Sequence, residues 1–283
     1  MGPLVWKLNL RILFILRKEQ WSIVFVDKGV WLWPSILRKL KNRGAYLVHW
    51  TPDPAFHVHE SRKFNSGVRS YDKVYTTKKY ELQSYRDAGA SQVVLVNQSI
   101  ATSLSSWRKW DERKWDYGFI GHFEPYRGEC IEKLLESGCR IAVGGYDWAP
   151  FASKHVGLPN FDFLGEDGFF GKEYHDFWSN CRVGLGFISH LCPDTITTRT
   201  FEIPAYHSVL CSPKTNELDA FFGADNYPIL DLVLESPESF LEPDRLSAYF
   251  DMQKEKIATS DVYHIDAMRL VLAEWNRNEN SFL

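Results

Sequence analysis

Apolar and polar positions along the chain follow two periods in turn. Over residues 4–18, Leu4, Leu8, Ile12 and Ile15 recur at spacings of three and four, with Lys7, Arg11 and Lys18 elsewhere, which predicts an amphipathic helix. Short β-branched apolar runs then appear at Ser22–Asp27, Ala45–Trp50, Tyr71–Thr76 and Gln92–Val96, the pattern of buried parallel strands. Pro34–Lys41, closed by Gly44, and Lys79–Ala88, stopped by Gly89, read as the intervening helices. Thr51-Pro-Asp-Pro54 ends the second strand sharply, because two prolines cannot extend a central ladder.

Residues 101–115 break this periodicity with serine and charge and are expected to be a linker. The alternation restarts with a strand at Trp115–Ile120, a helix at Cys130–Ser137 and a strand at Cys139–Val143 that ends in Gly144-Gly145. A helix at Tyr174–Asn180, a strand at Val183–Ile188, a helix at Thr200–Tyr206 and a strand at Ser208–Cys211 follow. From Ser236 the chain reads as helical, ending in Ala267–Trp275. Strands alternating with helices specify an α/β chain with parallel sheets covered on both faces. The expected domains are 1–110 and 111–260, each Rossmann-like, with a helix over 261–283 that packs back toward the N-terminal domain.

Composition narrows the function classes. A hydrophobic content of 45% and a charged content of 24% are those of a globular protein. The net charge of -3 provides no overall basic field, so nucleic acid is not an expected partner and any anion site must be local. No run approaches the ~18 apolar residues of a spanning helix, since Lys7, Arg11 and Arg17 interrupt the N-terminal segment. That segment also lacks a small-residue cleavage site, so a cytoplasmic protein is expected. The basic residues of the first helix leave peripheral contact with a membrane open, beside the plainer reading of a solvated face. Five cysteines, widely spaced and without a C-x-x-C pair, read as reduced and mostly buried thiols.

In open α/β sheets ligands sit beyond the carboxyl ends of the strands. In the C-terminal half these ends are Gly121-His122-Phe123-Glu124-Pro125-Tyr126-Arg127, Gly144-Gly145-Tyr146, Ser189–Thr200 and Ser212-Pro213-Lys214. Glycine lets backbone approach a phosphate, and Arg127, where a helix begins, is placed to neutralise a diphosphate together with the helix amides. A tight turn with a solvated arginine is the alternative. Asp194-Thr-Ile-Thr-Thr-Arg-Thr-Phe-Glu202 leads hydroxyl-bearing residues, including Thr198 and Thr200, into a short helix whose Pro204 is expected in the first turn. Its two acids, eight residues apart, suit a sugar and a ribose, or else an ordinary cap and an ion pair.

Tyr117-Gly-Phe-Ile-Gly121, Arg127, the Gly138–Gly145 stretch, Arg199-Thr-Phe-Glu-Ile-Pro-Ala205 and Glu217–Phe222 together resemble the CgeB-like (spore maturation protein) glycosyltransferases. These are relatives of the family-4 retaining enzymes with the GT-B fold, in which two Rossmann-like domains face a cleft. Val26-Asp-Lys-Gly29 and Trp50-Thr-Pro-Asp-Pro54 are similar to that family too, so the resemblance covers most of the chain. It implies a nucleoside-diphosphate sugar as donor substrate, a hydroxyl-bearing acceptor (glycan, glycolipid or protein), retention of anomeric configuration, and no obligatory metal or other cofactor. By position, Glu202 matches the second acid of the E-x7-E motif, on the ribose, and Asp194 the first, near the donor sugar. Gly121, His122 and Arg127 match the diphosphate loop, with Gly144, Gly145, Thr198, Arg199 and Thr200 beside it. The chain departs from the pattern in having Asp194 for Glu, His207-Ser208 for glycines after the helix, and an abbreviated N-terminal domain without the usual first strand.

On the acceptor side, Asp53 and His57 follow the second strand. A carboxylate there orients or deprotonates a hydroxyl, and a histidine titrates in the range such work needs. His57, His59 and Glu60 also permit a metal reading, although H-x-H with no third spaced ligand is a weak signal. A nucleotide-sugar epimerase of the same fold and a non-catalytic nucleotide-binding protein are the rival functions.

Overall fold

The computed structural model describes residues 2–57 and 61–280. It divides into two compact units, one formed by the chain up to Ser99 together with the residues from His264 onward, the other by Ile100–Tyr263.

The first unit runs α1 (Pro3–Ile15), β1 (Ile23–Asp27), α2 (Pro34–Lys41), β2 (Tyr46–Thr51), α3 (Arg62–Val68), β3 (Lys73–Thr76), α4 (Leu82–Asp87) and β4 (Val93–Leu95). Its four strands lie in the order β1-β2-β3-β4, all parallel. Side chains of a strand alternate between faces, and β2 shows the result. Leu47 joins Val26, Val74 and the residues of α2 and α3 on one face, while Val48 and Trp50 join Tyr75 on the other. That second face is covered by Ala267 and Val271 of the last helix, α12 (His264–Asn280), and Tyr75 Oη donates to Glu274 Oε2 at 2.6 Å.

Only the second half of the stripe expected to face inward on α1, Ile12 and Ile15, is partly buried. Leu4 and Leu8 are exposed, and Val5, Asn9, Ile12, Leu13 and Leu16 turn toward the unit. The helix is apolar almost all round, so apolarity alone does not choose a face. Asn9 is fully buried, donates to the Val5 and Trp31 carbonyls and accepts from Trp33 N–H, which selects the orientation.

The second unit contains β5 (Trp115–Ile120), α5 (Pro125–Glu136), β6 (Ile141–Gly144), α6 (Ala149–Lys154), β7 (Phe161–Phe163), α7 (Gly171–Ser179), β8 (Cys181–Leu185), α8 (Thr198–Ala205), β9 (Val209–Cys211), α9 (Asn216–Phe222), α10 (Leu230–Glu235) and α11 (Pro243–Ala258). The parallel strand order is β7-β6-β5-β8-β9, so the chain winds outward from β5 to β7, then returns to place β8 on the other flank of β5. This reversal is a topological switch point, and it opens a crevice beyond the carboxyl ends of β5 and β8.

Several boundaries differ from expectation. Residues 101–115 are a packed part of the second unit. Trp107 and Trp110 both pack on Phe250, and the Arg113 guanidinium lies 3.9 Å from the Trp110 ring centroid. Helix α5 starts at Pro125, five residues before the expected Cys130, because proline at the first helical position needs no N–H partner. Helix α8 begins at Thr198, which moves Pro204 from the expected first turn into the helix interior. There its missing N–H deprives only the Thr200 carbonyl, since the helix closes at Ala205. The five cysteines are free, three of them buried.

Candidate functional site

At the carboxyl edge of the second sheet, two glycine turns lie against each other. Gly121 N–H donates to the Gly144 carbonyl at 2.9 Å, and Gly145 N–H to the Gly165 carbonyl at 2.9 Å. Gly145 has φ +116°, and a Cβ there would meet the Gly121 carbonyl oxygen at 2.5 Å, so both conformation and contact require glycine. Trp148 Nε1 donates to that same oxygen at 2.9 Å, and Phe123 N–H donates to the Tyr146 carbonyl. His122, between them, has its ring 5.2 Å from that of Tyr146.

Arg127, in the first turn of α5, is only 5% exposed. Its Nη2 pairs with Glu124 Oε1 at 2.6 Å, its Nη1 donates to the His122 carbonyl at 2.8 Å, and its Nε lies 3.3 Å from Tyr126 Oη. Glu124 Oε2 also accepts from His190 N–H, Tyr126 stacks on the His190 ring at 3.9 Å, and Tyr126 Oη donates to the Ile188 carbonyl. The turn after β5 is thereby strapped to the loop after β8, with Arg127 at the centre of the strap. Its guanidinium is committed to these protein partners, so it is not the solvated arginine of the tight-turn alternative.

The partly buried arginine beside the glycine turn is Arg199. Its Nε donates to the Ile120 carbonyl at 2.7 Å, and its Nη2 lies 2.7 Å from where a Cβ on Gly121 would stand. Arg127 and Arg199 each lie 5.4 Å from the Phe119 ring centroid. Arg199 belongs to the first turn of α8, whose start is tightened by Thr200 Oγ1 accepting from Thr197 N–H at 3.1 Å. Thr198 opens that helix, and the positive end of the helix dipole points out of the turn.

Glu202 sits one turn further along α8. Its Oε2 accepts from Tyr174 Oη at 2.7 Å, and burial raises its carboxyl above the ordinary range, opposed by that hydrogen bond and the Arg199 charge. Tyr174, on α7, is itself held protonated by burial and by the Glu202 charge. Asp194 lies in the loop before α8, where its Oδ2 is 3.4 Å from Cys192 Sγ. Thr215 Oγ1 donates to the neighbouring Thr195 carbonyl at 2.9 Å and anchors that loop. The second unit thus gathers Gly121, His122, Arg127, Gly144, Gly145, Thr198, Arg199, Thr200, Glu202 and Asp194 on loops and helix starts at one edge of its sheet.

Asp53 and His57 belong to the first unit. Asp53 pairs with Lys28 after β1, and Asp53 N–H donates to Thr51 Oγ1 at 3.1 Å. His57 Nδ1 lies 3.2 Å from Glu81 Oε1, and the fully buried Glu81 also accepts from Ala55 N–H and Phe56 N–H, each at 2.8 Å. His59 and Glu60 lie outside the described residues. Among the described residues no group of three or more His, Cys, Asp or Glu side chains is arranged to hold a metal ion.

Three participants escape a reading of the sequence. Glu81, Tyr174 and Glu124 were visible only as ordinary helix or loop residues, and each is defined by a partner 24 to 66 positions away, for which a single sequence carries no mark. The exception is Glu124 with Arg127, whose i,i+3 spacing at a helix start is the signature of a local ion pair.

No family model matches the chain, and no curated protein matches its sequence. Solved structures do resemble its fold. A trehalose-6-phosphate synthase, OtsA, superposes with a TM-score of 0.66 at 13% identity, over 96% of this chain and 76% of that one. An α-glucosyltransferase in complex with UDP-glucose and DNA containing an abasic site gives 0.63 at 13% identity, over 90% and 80%. A protein described as a UDP-N-acetylglucosamine 2-epimerase, from Listeria monocytogenes, gives 0.57 at 11% identity, over 98% and 79%. At these identities the likeness is one of fold. The chain has the α/β architecture with two Rossmann-like units that is common to GT-B glycosyltransferases. Among the described residues no helix is long and apolar enough to cross a membrane.

Proposed function

We propose that the second unit binds a nucleoside-diphosphate sugar at the carboxyl edge of β5 and β8, and that the protein transfers the sugar to a hydroxyl acceptor. The observation that carries this reading is the meeting of Gly121, Arg199 and the start of α8 at a topological switch point. A diphosphate laid on the Gly121 and Gly144-Gly145 turns is met by close backbone, the Arg199 guanidinium and the positive helix end. Charge that develops on the departing diphosphate is stabilised there without proton transfer. Glu202 takes the ribose hydroxyls, and Asp194 takes the donor sugar. Arg127 holds the turn in place through Glu124 and the His122 carbonyl. In the first unit, Asp53 and His57 serve the acceptor hydroxyl, with Glu81 fixing the His57 ring. The resemblance of the Arg199–Ala205 phrase supports retention of configuration and independence of metal.

The test is calorimetry of the full chain with UDP, GDP and dTDP in the presence of a chelator, followed by product analysis with the matching sugar donors. Binding without divalent ion and release of the diphosphate with a new glycoside support the proposal. Conversion of the donor into an isomeric nucleotide sugar would assign the site to epimerisation, which the epimerase among the fold neighbours favours as second reading. Binding that needs a divalent ion would contradict the metal-free site.

A further inference from the structure

The first helix carries a surface that donor chemistry does not use. Residues 1–18 contain Lys7, Arg11, Arg17 and Lys18 and no acid, whereas the whole chain has a net charge of -3. On α1 the outward positions Leu4, Trp6, Leu10 and Phe14 are each more than half exposed. Lys7 and Arg11, four residues apart, share one ridge of the helix, with exposed Leu4 and Leu8 beside it. Lys18 reaches back to lie 5.0 Å from the Phe14 ring centroid.

Beside this face is a cavity of about 440 Å3 whose walls include Trp6, Trp33, Arg38 and Lys63. Trp6 and Trp33 meet edge to face at 4.9 Å. The Trp33 indole N–H is buried and has no hydrogen-bond partner among the described residues. The two cationic side chains at the cavity wall are a setting for an anionic headgroup, and the Leu, Phe and Trp side chains next to it are those that enter the boundary between headgroups and acyl chains.

We propose that α1 and the adjoining cavity form an interfacial face that docks the protein on an anionic phospholipid bilayer. Charge complementarity selects this occupant: a cationic, acid-free helix face is attracted to a negative leaflet and repelled by the same face of a second copy. The apolar side chains enter the interface while Lys7, Arg11, Arg17 and Lys18 meet the headgroups, so the protein lies on the membrane without spanning it.

Sedimentation of the full chain with vesicles of phosphatidylcholine alone, and of phosphatidylcholine mixed with phosphatidylserine, tests the inference without any sugar donor. Binding is expected to the mixed vesicles only, and to weaken as salt is raised. Lys7→Glu with Arg11→Glu should reduce it by at least about twenty-fivefold, since each cation contributes roughly a factor of five. Leu10→Ser with Phe14→Ser should also abolish pelleting while leaving the melting temperature unchanged, because both side chains face outward. Equal pelleting with neutral vesicles, or binding indifferent to both double variants, would overturn it. So would a chain that ignores vesicles and forms a dimer in ultracentrifugation that the α1 variants dissociate.

Discussion

Arg199 occupies the space that any side chain on Gly121 would need: its Nη2 lies 2.7 Å from the position of a Cβ there, while its Nε holds the Ile120 carbonyl. The turn after β5 and the start of α8 are therefore fitted to each other through one glycine and one guanidinium, and the diphosphate site proposed above depends on that fit.

Substituting the glycines separates fit from fold. Gly145→Ala meets both a φ of +116° and a backbone oxygen at 2.5 Å, and should lower stability by on the order of 3 kcal/mol. Gly121→Ala meets the end of a flexible side chain and the Phe119 ring, so it should cost less stability while displacing Arg199 and weakening nucleoside-diphosphate binding roughly tenfold. Thermal melts and calorimetry read the two effects. A more stable Gly145→Ala than Gly121→Ala would contradict the packing.

The two arginines should behave as opposites. Arg127→Ala leaves the largely buried Glu124 carboxylate without its counter-charge, held only by His190 N–H, and is expected to cost about 3 kcal/mol of stability. Arg199→Ala should cost about 1 kcal/mol, one hydrogen bond, yet lower kcat/KM by about a hundredfold, the scale of losing a charge-stabilising donor. A folded Arg199→Ala protein with unchanged kinetics would remove this residue from the site.

For the acids, affinity for the free diphosphate and for the intact donor gives the separation. Glu202→Gln should weaken the diphosphate by about 1–3 kcal/mol. Asp194→Asn should leave it nearly intact and weaken the sugar-bearing donor. Burial raises the Glu202 carboxyl, so its charged form is lost on acidification sooner than that of an ordinary glutamate. Diphosphate affinity should accordingly begin to fall above the usual carboxylate range, and Glu202→Gln should flatten that profile. Equal losses for both ligands in Asp194→Asn would refute the division of labour.

His49 makes the first unit sensitive to acid. Burial lowers its pKa to about 3, and its ring is packed among Phe64, Tyr71 and Tyr85. The unfolded chain takes up the proton near 6.5, so the neutral form stabilises the fold above that pH, and the contribution is lost progressively as pH falls toward the folded value. About 2 kcal/mol should be gone at a pH near 5, at roughly 1.4 kcal/mol per unit. Comparing the pH dependence of urea midpoints in the wild type and His49→Phe isolates this part, and parallel curves would show that His49 does not contribute.

Most strands were legible because each is a compact apolar run in a covered sheet, and eight of the nine appear in the periodicity within a few residues. β7 offers no apolar run, since Asp162 stands exposed between Phe161 and Phe163, and the one- or two-turn helices α3, α6, α9 and α10 are too short for a period to emerge. The first half of the α1 face was misread for a related reason: one buried amide, Asn9, decides an orientation that the apolar residues leave undetermined. At the candidate site, glycines and hydroxyls mark where backbone approaches a ligand. Which arginine stays partly open and which is locked in an ion pair depends on Glu124 and on the loop after β8, a relationship across the fold that spacing does not record.

The closing helix has a consequence during synthesis. The sheet of the first unit is translated early, but the face bearing Val48, Trp50 and Tyr75 is covered by Ala267 and Val271, which emerge only after Ile100–Tyr263 has been made. For that interval the nascent chain presents an apolar face with no cover, the kind of surface that ribosome-bound chaperones retain. A message truncated before His264 would yield a product whose second unit is complete and whose first unit cannot close, and quality control would meet it as a half-folded chain.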